Sequence, residues 1–237
     1  MNLTDTTARA LTVLSLLALT GCATTRATSA ADPFEPLNRA AYAIHEPIDR
    51  VVVRPIIQAY VDYVPRLVRQ PITSFYNNIE DLFSGINGML QGKPEKAGHD
   101  FGRVIVNSSF GILGLIDFAS EAGIPRGEED FGQTFGHWGI AQGPYLFVPL
   151  FGPTTVRDGS GFLVRIALGP TGYIEEVPLR NVLYGLGYVE ARSQALEAQS
   201  MAEKAALDPY TFIRRSYLQR REYLTYDGQP PRKDDDE

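Results

Sequence analysis

The sequence predicts an all-α chain: a single helical domain with long, irregular connections rich in Gly, Pro and aromatic residues, and at most one short β-hairpin. Three observations carry this. Apolar residues recur at helical spacing through residues 66–90, where Phe75, Ile79, Leu82, Phe83, Ile86 and Leu90 alternate with Asn77, Asn78, Glu80, Asp81, Ser84 and Asn87. Helix-start signals, an Asp followed at once by Pro, stand at Asp32-Pro33 and Asp208-Pro209. Strand signals are sparse: only residues 145–150 and parts of 134–140 offer short aromatic runs flanked by Gly, enough for one hairpin or none.

Residues 1–21 read as an export signal. Leu11 to Leu19 make an apolar stretch too short for a permanent membrane helix, and Leu19-Thr20-Gly21-Cys22 follows it. That tetrad has the form of a lipobox, in which the thiol takes a diacylglycerol and the chain is cut just before it. Cys22 is the single cysteine among 237 residues, so the mature body forms no internal disulfide and no thiolate metal site. Residues 22–31 then supply the lipidated Cys and a small, polar tether, and ten such residues average roughly 17 Å end to end. A body on so short a tether works at the membrane face. Two or more acyl chains are needed for stable anchoring.

Residues 32–228 suit one domain by length. Asp32-Pro33-Phe34-Glu35 reads as a helix start, with Asp as N-cap and Pro at the first position. Helices follow over 54–63 and 66–90. The amphipathic 66–90 segment fits either a soluble bundle or a helix at a membrane interface or channel wall. Residues 93–118 are apolar on most sides and read as two buried helices, interrupted at Asn107 and Ser108, with Gly111 and Gly114 permitting a break. Helices are also expected over 180–204 and from Asp208-Pro209 to about Tyr226. The last carries Arg214, Arg215, Arg220 and Arg221, either a solvated face or one turned to lipid phosphates. Residues 229–237 end in Asp234-Asp235-Asp236-Glu237 and read as a disordered acidic tail.

The central stretch, residues 131–159, carries no charged side chain up to Val156 and is broken throughout by Gly and Pro. Pro144, Pro149 and Pro153 exclude a spanning helix, so the segment folds back on itself, either as loop-rich core or against lipid. Its aromatics Phe131, Phe135, Trp138, Tyr145, Phe147 and Phe151 are the candidate lipid-contact or channel-rim residues. Ser160, between Gly159 and Gly161, reads as part of a turn after Asp158.

The chemistry of the remaining residues points away from catalysis. His45, His99 and His137 are far apart, and none has a second His or Cys at ligand spacing. No G-x-S-x-G elbow or Walker loop is present. The formal charge of −6, without a basic surplus, gives no sign of nucleic-acid binding. No metal, no cofactor and no enzymatic activity are expected.

Several short motifs together resemble the MlaA/VacJ family of outer-membrane lipoproteins. They are Asp32-Pro33-Phe34-Glu35-Pro36-Leu37-Asn38-Arg39, Val53-Arg54-Pro55, Asp62-Tyr63-Val64-Pro65, Leu90-Gln91-Gly92-Lys93-Pro94 and Phe101-Gly102-Arg103. Asn107-Ser108-Ser109-Phe110-Gly111-Ile112-Leu113-Gly114 and Asp117 follow. The strongest match is Phe131-Gly132-Gln133-Thr134-Phe135-Gly136-His137-Trp138-Gly139. It continues through Gly143-Pro144-Tyr145 and Val148-Pro149-Leu150-Phe151-Gly152 to Arg157-Asp158. Asp208-Pro209-Tyr210 and Arg215-Ser216-Tyr217 close the body.

The resemblance implies a helical ring sunk in the inner leaflet of the outer membrane, on its periplasmic side, with a polar-walled channel. It also implies a pathway that keeps phospholipid out of the outer leaflet. The partners it implies are phospholipid, the outer membrane, trimeric porins and a soluble periplasmic lipid carrier, with diacylglycerol and an N-acyl chain on Cys22 as the covalent groups. The rival reading is a non-catalytic structural envelope lipoprotein associated with porins.

Overall fold

The computed structural model describes residues 32–231, with residues 197–205 described by their backbone alone. The expected lipid attachment at Cys22, the signal and tether before residue 32, and the acidic tail after residue 231 lie outside the described residues.

The chain opens with α1, Glu35–Ile48, which runs through a π-helical turn, Asp49–Val53, into α2, Arg54–Tyr63. Pro47 and Pro55 each remove an amide donor on either side of that turn, which is where a helical ladder widens. Asp32 is not the expected cap of α1. The helix starts two residues later, at a cap residue, Phe34, that makes no side-chain bond. Asp32 is instead buried and accepts from the Tyr210 hydroxyl at 2.6 Å, Arg214 at 2.6 Å and Asn38 at 2.8 Å.

Helix α3 spans Arg66–Leu90 and packs extensively along α4, Pro94–Ser109. Where two helices were expected over 93–118, the chain makes one long helix, a tight left-handed turn and the short α5, Phe118–Glu121. Gly111 makes that turn feasible: a Cβ there would sit 2.1 Å from the Ile116 carbonyl oxygen and 2.5 Å from that of Asn107.

Residues 131–137, partly expected as strand, form helix α6, Phe131–His137. Its N-cap Asp130 accepts from the Gln133 amide at 2.8 Å. A two-stranded antiparallel hairpin follows, β1 Tyr145–Val148 with β2 Gly152–Thr155, in which Tyr145 faces Thr155 and Phe147 faces Pro153. Ser160 is not in a turn. It lies in helix α7, Val156–Leu168, with its hydroxyl donating back to the Val156 carbonyl at 2.7 Å. Thr155 caps α7 by accepting from the Asp158 amide. Glycines fit α6 against α7, since a Cβ on Gly161 would reach within 2.5 Å of the Gly132 nitrogen.

A 3-10 turn, Pro170–Tyr173, leads into α8, Val177–Ala205, which returns to pack on α2 and α3. The last helix, α9, is Pro209–Thr225, capped by Asp208, and it lies against α6, α8 and β2. Among the described residues the chain is all-α apart from the one hairpin.

Candidate lipid-contact surface and polar interior

The six aromatics singled out in residues 131–151 divide by local geometry. Alternation along β1 turns Tyr145 and Phe147 inward and Val148 outward. Tyr145 and Phe147 join Tyr210 in a small aromatic core. Phe147 is only 5% exposed, edge-on to Tyr42 at 5.3 Å and 5.2 Å from His45. Asn38 locks this strand to α1, donating to the Tyr145 carbonyl at 3.0 Å and accepting from the Phe147 amide at 3.0 Å.

Phe131 is likewise buried, 6.2 Å from the Phe83 ring. Phe131, Tyr145 and Phe147 therefore pack against protein and are turned away from the outer surface. Phe135 is half-buried beside Trp138 at 6.1 Å. Trp138 is exposed, its indole donating to the Leu90 carbonyl at 3.1 Å. Phe151, at the hairpin tip, is 67% exposed, with Phe162 at 6.1 Å and Tyr188 at 6.5 Å. The structure thus does not gather the six into one patch.

The larger apolar surface lies elsewhere. Val51, Val52, Leu67, Val68, Ile105 and Leu163 all face outward, as do the residues of the turn after α4. Phe110 and Leu113 are each 73% exposed, and Ile112 is nearly as open. Ile112 and Leu113 hold left-handed backbone angles, φ 53° and 57°, at a cost of about 1 kcal/mol or more each. Large side chains are seldom held that way, and here the conformation serves to point them out. Residues 93–118 were expected to be buried; the signal for the outward turn was the Gly-Ile-Leu-Gly spacing of residues 111–114.

The interior is the converse. Helix α3 buries Ser74, Asn78, Asp81, Ser84 and Asn87 while Leu82, Met89 and Leu90 are exposed. A soluble bundle does the opposite. Among the described residues, ion-pair networks fill the inside and join elements distant in sequence. Arg103, 2% exposed, spends its guanidinium on Asp81 at 2.9 Å, both Asp117 oxygens at 3.1 Å, Ser120 at 3.2 Å and the Ile124 carbonyl at 2.9 Å.

Arg221 reaches Asp130 at 2.9 Å and Asp158 at 2.9 Å, and Asp158 also holds Arg157 and Tyr217. Arg214 pairs with Asp32 and Glu35. Asp49 joins Arg54 and Arg192. Of the four arginines of α9 considered for a solvated or phosphate-facing side, Arg214 and Arg221 are thus internal, and Arg215 and Arg220 are exposed.

Burial and partners pull the carboxyls in different directions. Burial pushes Asp81 up, against the lowering effect of Arg126 and Arg103. Burial would also raise Asp117, but hydrogen bonds from Ser120 and Asn107 and the charge of Arg103 hold it down at about 2. At Asp130, burial is likewise outweighed, here by Arg221, so its carboxyl stays below the usual range. These carboxylates are committed to structural pairs. Among the described residues there is no group of three His, Cys, Asp or Glu side chains placed to hold a metal ion, and no helix long and apolar enough to cross a membrane.

What the arrangement can do is present hydrocarbon-compatible side chains outward around a charged, hydrogen-bonded inside. Comparison with known proteins gives that arrangement a context. The family model described as MlaA lipoprotein matches residues 30–224. The chain is 33% identical over 224 residues to the intermembrane phospholipid transport system lipoprotein MlaA of Haemophilus influenzae, covering 91% of this chain and 89% of that one. It is 32% identical over 217 residues to the Escherichia coli protein of the same name, covering 89% and 86%. A solved structure, from work on the structural basis for maintenance of bacterial outer membrane lipid asymmetry, superposes with a TM-score of 0.72 at 31% identity, over 82% of this chain and 98% of that one.

Proposed function

The chain belongs to the MlaA lipoprotein family, and on that premise we propose that it lets mislocalised phospholipid pass from the outer leaflet of the outer membrane toward a periplasmic lipid carrier, so maintaining lipid asymmetry. The observation that carries this reading is the inversion of hydrophobicity: apolar side chains outside on α1 to α4 and the turn after α4, polar and ionised ones inside. Such a body is stable with its exterior in hydrocarbon, where the exposed rings and aliphatic chains no longer meet water.

The energetic need is plain. Each acyl CH₂ exposed to water costs about 0.8 kcal/mol, so a free two-chain lipid meets a barrier on the order of 20 kcal/mol. A ring-like protein with a polar lumen lets the headgroup cross while the tails remain in hydrocarbon or against protein. The reading contains no catalytic step and no energy source, so lipid moves downhill and direction comes from partners.

Residues 1–21 serve in this reading as the lipoprotein signal, and Cys22 carries the diacylglycerol and N-acyl chain. Residues 22–31 tether the body to the periplasmic face of the outer membrane, where trimeric porins and the soluble carrier are its proposed partners. Lipid contact falls to Trp138 and Phe151 and to the outward residues Phe110, Ile112 and Leu113. Deleting the gene is expected to raise outer-leaflet phospholipid and to sensitise cells to detergent with chelator, both reversed by the intact chain. Unchanged leaflet composition, with no phospholipid co-purifying with the detergent-extracted protein, would replace this reading by that of a porin-associated structural lipoprotein.

A further inference from the structure

The turn that closes the hairpin, Val148-Pro149-Leu150-Phe151, is held from two other elements. Pro149 stands second in it, the Phe151 amide donates back to the Val148 carbonyl at 3.1 Å, and Leu150 takes φ 70° in third place. That is the form of a type II turn, whose third position calls for Gly or Asn. A leucine there is strained, and such strain persists only where neighbouring groups impose it. Two groups do so. The Leu150 amide donates to Nδ1 of His45 on α1 at 3.1 Å, and the Leu150 carbonyl accepts from the Tyr188 hydroxyl on α8 at 2.9 Å.

His45 is 7% exposed, with its ring 5.2 Å from Phe147 and 6.5 Å from Tyr42. A backbone N–H can only donate, so Nδ1 presents its lone pair, and the bond exists only with a neutral imidazole protonated at Nε2. A proton taken up from solvent goes to Nδ1, the nitrogen that holds the lone pair. The imidazolium then sets N–H against N–H, and the tie to Leu150 is lost.

The charged groups around the ring do not rescue that tie. Asp49, one turn along the same helical run, would attract an imidazolium, but its oxygens are taken by Arg54 at 2.7 Å and Arg192 at 2.5 Å. Those two cations oppose a further positive charge. Glu46 and Arg50 pair with each other at the surface, at 3.1 Å. Residues 145–155 of the hairpin bring no charged side chain, and α8 brings Tyr188 and Arg192. Helix α9, through Tyr210 beside Tyr42, brings Arg214, which is held by Asp32 and Glu35.

We propose that His45 is the positioning residue of the hairpin tip and makes it a pH-sensitive latch: the neutral imidazole holds Leu150, and with it Phe151, and protonation releases them. The base of the hairpin is tied differently. There Asn38, which does not titrate, accepts from the Phe147 amide at 3.0 Å, so the base stays in place while the tip goes. Phe151 is the most exposed ring of the hairpin, so the latch governs a residue assigned to lipid contact. That consequence rests on the lipid-passage reading; the latch itself does not.

The test follows hydrogen exchange of the Leu150 and Phe147 amides by NMR in the full-length lipidated protein in non-ionic detergent, at pH 7.5 and pH 5. Rates are expressed as protection factors, which removes the pH dependence of intrinsic exchange. Protection of Leu150 is expected to fall about tenfold at the lower pH, the loss of one hydrogen bond, while Phe147 holds. His45→Asn offers an amide oxygen in place of Nδ1 and no ionisation, so Leu150 should be protected at both pH values. His45→Phe fills the space without an acceptor and should leave Leu150 poorly protected at both. Tyr188→Phe should lower protection while keeping its pH dependence.

Protection of Leu150 that is the same at both pH values in the unaltered chain overturns the proposal. So does an equal loss at Phe147, which would mean general opening in acid, or a loss at pH 5 that persists in His45→Asn. Should His45→Phe fail to fold, the unaltered chain and His45→Asn decide between them. A deletion strain with unchanged outer-leaflet phospholipid sinks the passage reading and leaves the latch standing; a pH-independent Leu150 amide in a chain that clears phospholipid does the reverse.

Discussion

The same substitution four residues apart on one hairpin separates burial from lipid contact. Phe147→Asp removes a ring that is 5% exposed and touches Tyr42 and His45. Loss of a buried Phe costs about 3–5 kcal/mol, and an unpaired carboxylate in its place costs several more. The sum approaches or exceeds the 5–15 kcal/mol or so that holds a typical domain together, so this variant is expected to be degraded or aggregated. Phe151→Asp alters a ring that is 67% exposed and meets the rings of Phe162 and Tyr188 edge-on. Those contacts are worth about 1 kcal/mol each, and the protein should remain folded and abundant in the membrane. If Phe151 lies in hydrocarbon, the new charge costs roughly 2.5–3.5 kcal/mol there, and clearance of outer-leaflet phospholipid should fall. The assay is immunoblotting of outer-membrane fractions, melting in detergent and leaflet composition in the same cells. Normal abundance and melting of Phe147→Asp would refute the burial argument. Normal clearance with Phe151→Asp would refute lipid contact at the hairpin tip.

Arg221→Met strips the cation from Asp130 and leaves Asp158 with Arg157 and the Tyr217 hydroxyl, a loss of about 3 kcal/mol or more; at 2–4 °C per kcal/mol the melting temperature should drop by about 6–12 °C. Adding Asp130→Asn, which keeps the cap on α6, should recover part of that drop. In acid, the Asp117 and Asp130 carboxyls, both held below their ordinary values, contribute stability that is complete above the unfolded value of 3.8 and lost as pH falls through the folded one, about 2 for Asp117. Asp81, raised by burial, acts with the opposite sign and softens the fall. Melting measured between pH 5 and 2 should therefore decline chiefly below pH 4, and a flat profile would contradict the interior pairs. Cys22→Ala should abolish labelling by a palmitate analogue and release the protein from the membrane, and continued labelling would refute the attachment site.

Chain order and element type were legible wherever punctuation is local. Arg54–Tyr63 and Arg66–Leu90 match their expected bounds because Pro55 and Pro65 mark their starts and Gly92 and Pro94 close the second. Asp208-Pro209 announced α9 in the same way. Helices α6 and α7 were not legible, because glycine disfavours helix in isolation. Their justification is the crossing at Gly132 and Gly161, where a side chain would strike the facing backbone. That contact joins residues 29 apart, and no window of sequence contains it. Periodicity also told which residues of α3 share a face, but not what would cover that face. Only the tertiary structure decided that Asp81, Ser84 and Asn87 turn inward to Arg103, Asp100 and Thr134, leaving Leu82 and Leu90 outside. An amphipathic pattern looks the same whether its apolar side meets protein or lipid. The sign of the inversion is set by partners brought together from distant parts of the chain.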